Sequence, residues 1–215
     1  MNWKQRCDLE RGFIGAKRSP YDPILSENPK TGVSLNLPVL NCRPTKICRE
    51  ICYACSGPIS FPYACKKAVA VDEWIRQHPI WAAMKAIQEA DGTPIRLCGS
   101  GDLNPAHMPF LVEIKAQGGR PWGFTRKLDM WKRCWSMHIE LMFGIDVSSK
   151  HLEDIPPTRL AYMRRPGDPD WSNSVAVTFP LHGPRRDPSK VPVSESDCPA
   201  IRRHIKCADC RRCYS

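Results

Sequence analysis

Apolar and polar residues alternate along V-S-L-N-L at the head of 33–40, the two-residue period of a strand. Pro38 ends that strand or sets it at a sheet edge. Over 65–90 the apolar residues fall at 68, 69, 71 and 75, then at 80, 81, 84 and 87, which predicts a helix that Pro79 breaks or kinks. Asp91 and Gly92 close it, and IRLC at 95–98 reads as the second strand. The turn Gly99-Ser100-Gly101-Asp102 follows, then Pro105 and an amphipathic helix over 108–116. A strand at 121–126, a helix at 128–137 and a strand at 140–147 come next, with short strands at 159–163 and 174–179. Repeated strand–loop–helix order predicts an α/β fold with a mostly parallel sheet, in the form of a partial (β/α) barrel. Residues 1–32 are polar, carry Pro20, Pro23 and Pro29, and read as an irregular N-terminal arm. The core is expected over 33–190 and a separate cysteine-rich tail over 191–215.

Composition narrows the chemistry. The 215 residues are 42% hydrophobic, ordinary for a globular chain, and suffice for one sizeable domain. Lys and Arg outnumber Asp and Glu by 32 to 22, a net charge of +10 that suits nucleic acid or an anionic small molecule. The opening MNWKQRCDLERGF has no apolar signal segment, and no apolar run reaches the ~18–20 residues a membrane helix needs. No membrane association is expected, and the twelve cysteines are expected to meet a reducing cytoplasm. There, clustered thiols point to metal rather than to disulfides.

Four of those thiols, Cys42, Cys48, Cys52 and Cys55, fall within fourteen residues directly after the first strand. Cys48, Cys52 and Cys55 have C-x3-C-x2-C spacing. Thiolates so close in one loop can converge on a single iron–sulfur cluster or zinc ion, and a cluster held by three leaves one iron open. The end of a parallel strand is also where α/β folds carry their sites. The glycine turn with Asp102 can offer backbone N–H groups and a carboxylate to a polar ligand, or Asp102 can simply cap a helix. Arg126 stands in a polar cluster at the end of the third strand. In the tail, Cys198, Cys207, Cys210 and Cys213 supply four ligands for a closed [4Fe–4S] cluster or a Zn(Cys)4 site. Arg202, Arg203, His204, Lys206, Arg211 and Arg212 surround them, a basic set able to offset thiolate charge or contact phosphate. Cys7 and Cys134 stand alone and read as plain buried or free thiols.

The cysteine loop resembles that of the radical S-adenosylmethionine (SAM) enzymes. One departure is local: that family has an aromatic residue just before the third cysteine, where this chain has Ala54, with Tyr53 one place earlier. As spaced blocks, the loop running into CYACSGPIS, RLCGSGDL, GFTRK and CADCRRC also resemble the Gp88-type family of phage and plasmid proteins. The resemblance implies a shortened radical SAM barrel, with Cys48, Cys52 and Cys55 on a [4Fe–4S] cluster. It also implies SAM against Tyr53, Gly99, Ser100, Gly101 and Asp102, with Asp102 on the SAM amino group and Asp102 and Arg126 in catalytic roles. A reductant protein and a host cytoplasm belong to the same expectation. Two other functions compete: a SAM-independent enzyme with an open iron, and a non-catalytic metal-stabilised module that binds nucleic acid or a host protein.

Overall fold

Among the described residues, seven strands form one sheet in the order in which they occur in the chain. The computed structural model describes residues 1–28, 31–149, 152–164, 168–169, 174–180, 197–198, 210 and 213. The strands are β1 (Leu25–Asn28), β2 (Gly32–Asn36), β3 (Ile95–Ser100), β4 (Pro121–Thr125), β5 (Glu140–Ile145), β6 (Leu160–Arg164) and β7 (Val177–Pro180). The hairpin partner β1 runs antiparallel to β2, and every later neighbour is parallel. The order runs from β1 at one edge to β7 at the other, so the sheet is open rather than closed into a barrel.

The helices are α1 (Trp3–Arg11), α2 (Lys46–Glu50), α3 (Pro62–Gln77), α4 (Pro79–Ala90), α5 (Met108–Ala116) and α6 (Leu128–Ser136). Parallel crossovers are right-handed, so strands added in one direction without reversal put their helices on one face. The core follows that rule. Phe110, Leu111 and Ile114 of α5, and Met130, Trp131 and Cys134 of α6, pack with Leu97, Leu141, Phe143, Leu160 and Tyr162. The alternate residues of β5 and β6, Met142 and Ala161, turn to the other face and form a small cluster with Val177 and Cys198.

Local chemistry accounts for the breaks. Pro79 does not kink a single helix. It opens α4 as the first helical residue, where its missing N–H costs nothing, and His78 is the hinge between α3 and α4. Asp91 ends α4 in the left-handed conformation at φ 45°.

The first 32 residues are not an irregular arm. Asn2 and Gln5 cap α1 reciprocally, at 2.9 and 2.8 Å, and β1 extends the sheet. What hid α1 is its buried face, which is Arg6, Cys7 and Glu10 rather than an apolar stripe. Among the described residues, no helix is long and apolar enough to cross a membrane.

Candidate metal centre

The chain leaves β2 and enters the cysteine loop at the C-terminal end of the sheet, where β3 ends beside it. Leu37 N–H donates to Ser100 O, and the Ser100 hydroxyl donates to Leu37 O, both at 2.9 Å. Between Ser34 and Asn36 the register against β3 slips, with Ser34 opposite Arg96 and Asn36 opposite Ser100, so β3 bulges. The bulge contains Cys98, held at φ 56°, a left-handed conformation rare for a residue other than glycine. The glycine turn serves this close approach. Gly101 has φ 70°, and a Cβ there would strike the carbonyls of Leu37 and Pro38; one at Gly99 would strike the Asn36 side chain.

The loop itself is pinned at four places. Thr45 caps α2 by accepting from Cys48 N–H at 3.1 Å, and its hydroxyl donates to Asp146 Oδ2 at 2.5 Å, beyond the end of β5. Tyr53 donates its hydroxyl to Gly99 O and lies 3.4 Å from Cys98 O, so the loop's aromatic residue is tied to the glycine turn. Asn41 donates to Asp72 Oδ1 at 2.6 Å, and His107 Nε2 reaches the same oxygen at 2.8 Å. His107 Nδ1 accepts from Asn104 N–H at 3.1 Å, so Nε2 carries the proton and donates to Asp72. The fourth pin comes from α1, where the Arg6 guanidinium donates to the carbonyls of Ala54 and Ile59.

Ala54, where the resemblance expects an aromatic, is 2% exposed and packs with Cys7 and Val39. Only a small side chain fits between the loop and α1. Cys7 is therefore not isolated, since its cluster also takes in Cys42 and Cys52. Cys134, by contrast, lies in the main core.

Burial pushes the Cys42 thiol well above its usual value, and Asp102, Cys98, Cys48 and Cys52 push the same way. Burial also raises Cys48, with the Arg126 guanidinium opposing and Asp146, Asp102 and Cys55 adding. Cys52 is pushed up to about 12 by burial and by Cys55. Together these thiols are a soft, sulfur-only donor set of the type iron–sulfur and zinc chemistry uses. Among the described residues, no three His, Cys, Asp or Glu side chains stand close enough together to hold a metal ion as they are. The fit is one of donor type alone.

Asp102 is buried at 4% exposure, and both its oxygens are engaged. Oδ1 accepts from Thr125 Oγ1 at 2.7 Å and from Leu103 N–H at 2.8 Å, and Oδ2 from Arg126 N–H at 3.3 Å. Arg126 pairs with Asp146 at 2.6 Å. Gly99, Ser100, Gly101, Asp102, Tyr53 and Arg126 therefore meet at one end of the sheet with the cysteine loop. Asp146, Thr45, Asp72 and His107 complete this network.

The described cysteines of the tail lie elsewhere. Cys198 is buried against Met142, Ala161 and Val177, and Cys213 packs on the same cluster. Cys198 N–H donates to Thr178 O at 2.9 Å, so the chain returns alongside β7. Cys210 is half-buried. Cys207 and the basic residues Arg202, Arg203, His204, Lys206, Arg211 and Arg212 lie outside the described residues. No protein-family model, curated protein or solved structure matches this chain.

The two buried carboxylates that pin the loop fix its response to acid. Burial raises Asp72, but hydrogen bonds from His107 and Asn41 and the charge of Arg76 outweigh it, and the net shift is downward. Asp146 follows the same balance, with Ser148, Thr45 and Arg126 overcoming burial. A lowered folded-state value contributes stability above the ordinary carboxylate value of about 3.9, and that contribution is lost as pH falls through the lowered value. The thermal midpoint is expected to drop on acidification below pH ~4, and less steeply in Asp72→Asn. Parallel acid profiles of wild type and Asp72→Asn would remove Asp72 from the account.

Proposed function

We propose that this chain is an iron–sulfur protein of the radical SAM-like kind, with Cys48, Cys52 and Cys55 on a [4Fe–4S] cluster that keeps one iron open. The observation that carries the reading is the order of the sheet. Six parallel strands follow one another without reversal, the cysteine loop leaves the first of them, and the glycine turn leaves the second at the same end. We read the open sheet as a shortened version of the radical SAM barrel. When bound, the cluster with SAM supplies one-electron chemistry, and the protein contributes position and shielding.

The chain's own residues have definite tasks in this reading. Thr45 orients Cys48 through the cap of α2, and Tyr53 holds the loop against the glycine turn. Arg126, fixed by Asp146, sets a positive charge beside Cys48. The side chains of Cys48, Cys52 and Cys55 would turn inward to share the cluster, with Cys42 as a further thiol in reach. Cys198, Cys207, Cys210 and Cys213 would hold a second, closed cluster or zinc. The charge of +10 suits nucleic acid or an anionic small molecule as substrate, and a reductant protein as partner.

One observation favours the SAM-independent form. The oxygens of Asp102 already accept three hydrogen bonds from Thr125, Leu103 and Arg126, which leaves the carboxylate little to offer a ligand amine. Anaerobic purification with iron, sulfide and zinc quantified, then electron paramagnetic resonance of the reduced protein with and without SAM, separates the readings. A spectrum that changes with SAM supports the radical SAM-like enzyme. An iron cluster that ignores SAM transfers the function to the SAM-independent form. Zinc without iron in the loop sinks both enzymes and leaves a metal-stabilised binding module.

A further inference from the structure

Val33 and Leu35 of β2, and Ile95 and Leu97 of β3, turn toward the helices. Their alternates Ser34, Asn36 and Arg96 therefore face away from α3 to α6, as do Trp122 and Phe124 of β4. This second face is concave. Phe124 on β4 and Phe179 on β7 are three strands apart, about 14 Å along a flat sheet, yet their ring centroids lie 5.3 Å apart. Only a sheet that curls around this face brings the two rings together. Arg126 Nη1 likewise reaches the Met163 sulfur at 4.0 Å, from the end of β4 across to β6.

Arg96 stands half-buried on this concave face without a counter-charge. Its guanidinium lies over the Trp122 ring, 5.9 Å from the centroid. Nε is enclosed with no hydrogen-bond partner, and among the described residues the guanidinium has neither an ion pair nor a hydrogen bond. Glu140, in register with Trp122 on the next strand, is taken by Arg159. A half-buried cation left unpaired costs the fold stability, and an incoming anion offsets that cost. On the neighbouring strand the Asn36 amide is also without a hydrogen bond among the described residues, lying against the space that a Cβ on Gly99 would fill. Burial raises the Tyr53 hydroxyl and the Arg96 charge opposes that rise, so the guanidinium is within electrostatic reach of the glycine turn that Tyr53 holds.

We propose that this concave face binds a nucleotide, with its phosphate on Arg96 and its base edge on the Asn36 amide. A guanidinium backed by an indole presents a planar fork that matches a phosphate. An amide meets a base edge with a donor and an acceptor at once. The half-buried rings of Phe124 and Phe179 give the ligand an apolar wall. The chain's charge of +10 draws such anions in. The inference goes beyond the reading of the cysteine loop and needs no metal there.

The test is equilibrium binding of the common nucleoside 5′-monophosphates, and of the same nucleosides without phosphate, to the full chain. At least one nucleotide is expected to bind, roughly tenfold or more tighter than its nucleoside. Arg96→Gln is expected to erase that difference, and Arg96→Lys to restore part of it, because lysine keeps the charge and loses the fork. Asn36→Ala should weaken nucleotide and nucleoside alike. Arg133→Gln, which removes an exposed arginine of α6, should bind as wild type does. Because Arg96 holds no partner, Arg96→Gln should also keep the wild-type melting temperature. A chain that binds none of these nucleotides overturns the proposal. So does an Arg96→Gln that melts lower and binds as wild type, which assigns Arg96 to packing on Trp122. If Arg96→Gln does not fold, modification of wild-type Arg96 by phenylglyoxal decides, located by peptide mass. Saturating nucleotide must slow it, and an unchanged rate overturns the proposal. Iron uptake enters none of these outcomes, so a failure of the cluster reading is told apart by the metal count alone.

Discussion

Cys52→Ala is expected to fold as wild type does and to lose the iron of the loop. The structure separates the two roles of this residue. Its backbone carbonyl accepts from Cys55 N–H at 3.0 Å to close the short turn Tyr53–Cys55, and alanine keeps that bond. The side chain is half-buried at the edge of the Cys7, Val39 and Ala54 cluster, so its removal opens no enclosed cavity and costs about 1 kcal/mol or less. What goes is one sulfur donor from a set whose thiols burial and mutual proximity hold above the ordinary value until a metal displaces the proton. Iron and sulfide per chain after reconstitution should fall to the level the tail alone retains, with an unchanged circular dichroism spectrum. Ser56→Ala, one residue past Cys55, is the control and should keep its iron. Wild-type iron in Cys52→Ala would move the ligand set to Cys42 and its neighbour Cys98, which burial and Asp102 also hold far above the ordinary thiol value.

Elements whose side chains alternate between core and solvent were legible in the sequence. The helix read at 108–116 is α5 to the residue, because Phe110, Leu111 and Ile114 all face one core. The strands β3 to β7 stand within a few residues of their expected places. α1 left no such trace. Its inward face is an ion pair and a thiol, so the 3.6-residue apolar period that marks a helix is missing. β1 is four residues long, reads LSEN, and buries only Leu25 well. Proline was weighed differently at two points. Pro38 did end β2 early, whereas Pro79 began a new helix instead of bending an old one.

The site divides along the same line. Spacing alone marked Cys48, Cys52 and Cys55, and glycine chemistry marked the turn after β3, since both signals lie within a few consecutive residues. The partners that hold the loop do not. Thr45 and Asp146 are 101 residues apart, and Arg6 meets Ala54 and Ile59 across 48 and 53. A pairing across such distances has no local pattern to betray it. The displaced aromatic is intermediate. Tyr53 in place of Ala54 is visible as an oddity, but its cause, the tight seat of Ala54 on α1 and the reach of Tyr53 to Gly99, belongs to the fold.

The second large effect is expected from Glu10→Ala. Glu10 joins two buried tasks, holding Arg6 through Oε1 and the Leu40 N–H through Oε2. Burial pushes its carboxyl above the ordinary value, with the Arg6 charge and the N–H groups of Leu40 and Val39 opposing. Replacing such a pair with matched apolar groups can be neutral, but removing one partner leaves a buried charge uncompensated, which costs about 3–5 kcal/mol. Arg6 would then keep only the carbonyls of Ala54 and Ile59, and Leu40 N–H would lose its acceptor at the entrance to the cysteine loop. Denaturant unfolding of the metal-depleted chain should show that loss. Arg6→Met with Glu10→Met, which removes both charges together, should recover most of it. A single variant within about 1 kcal/mol of wild type would mean that water reaches Arg6 and that the clamp of α1 on the loop is weak. A loss that the double variant fails to recover would trace the damage to the Leu40 N–H instead, since that donor stays unpaired in both.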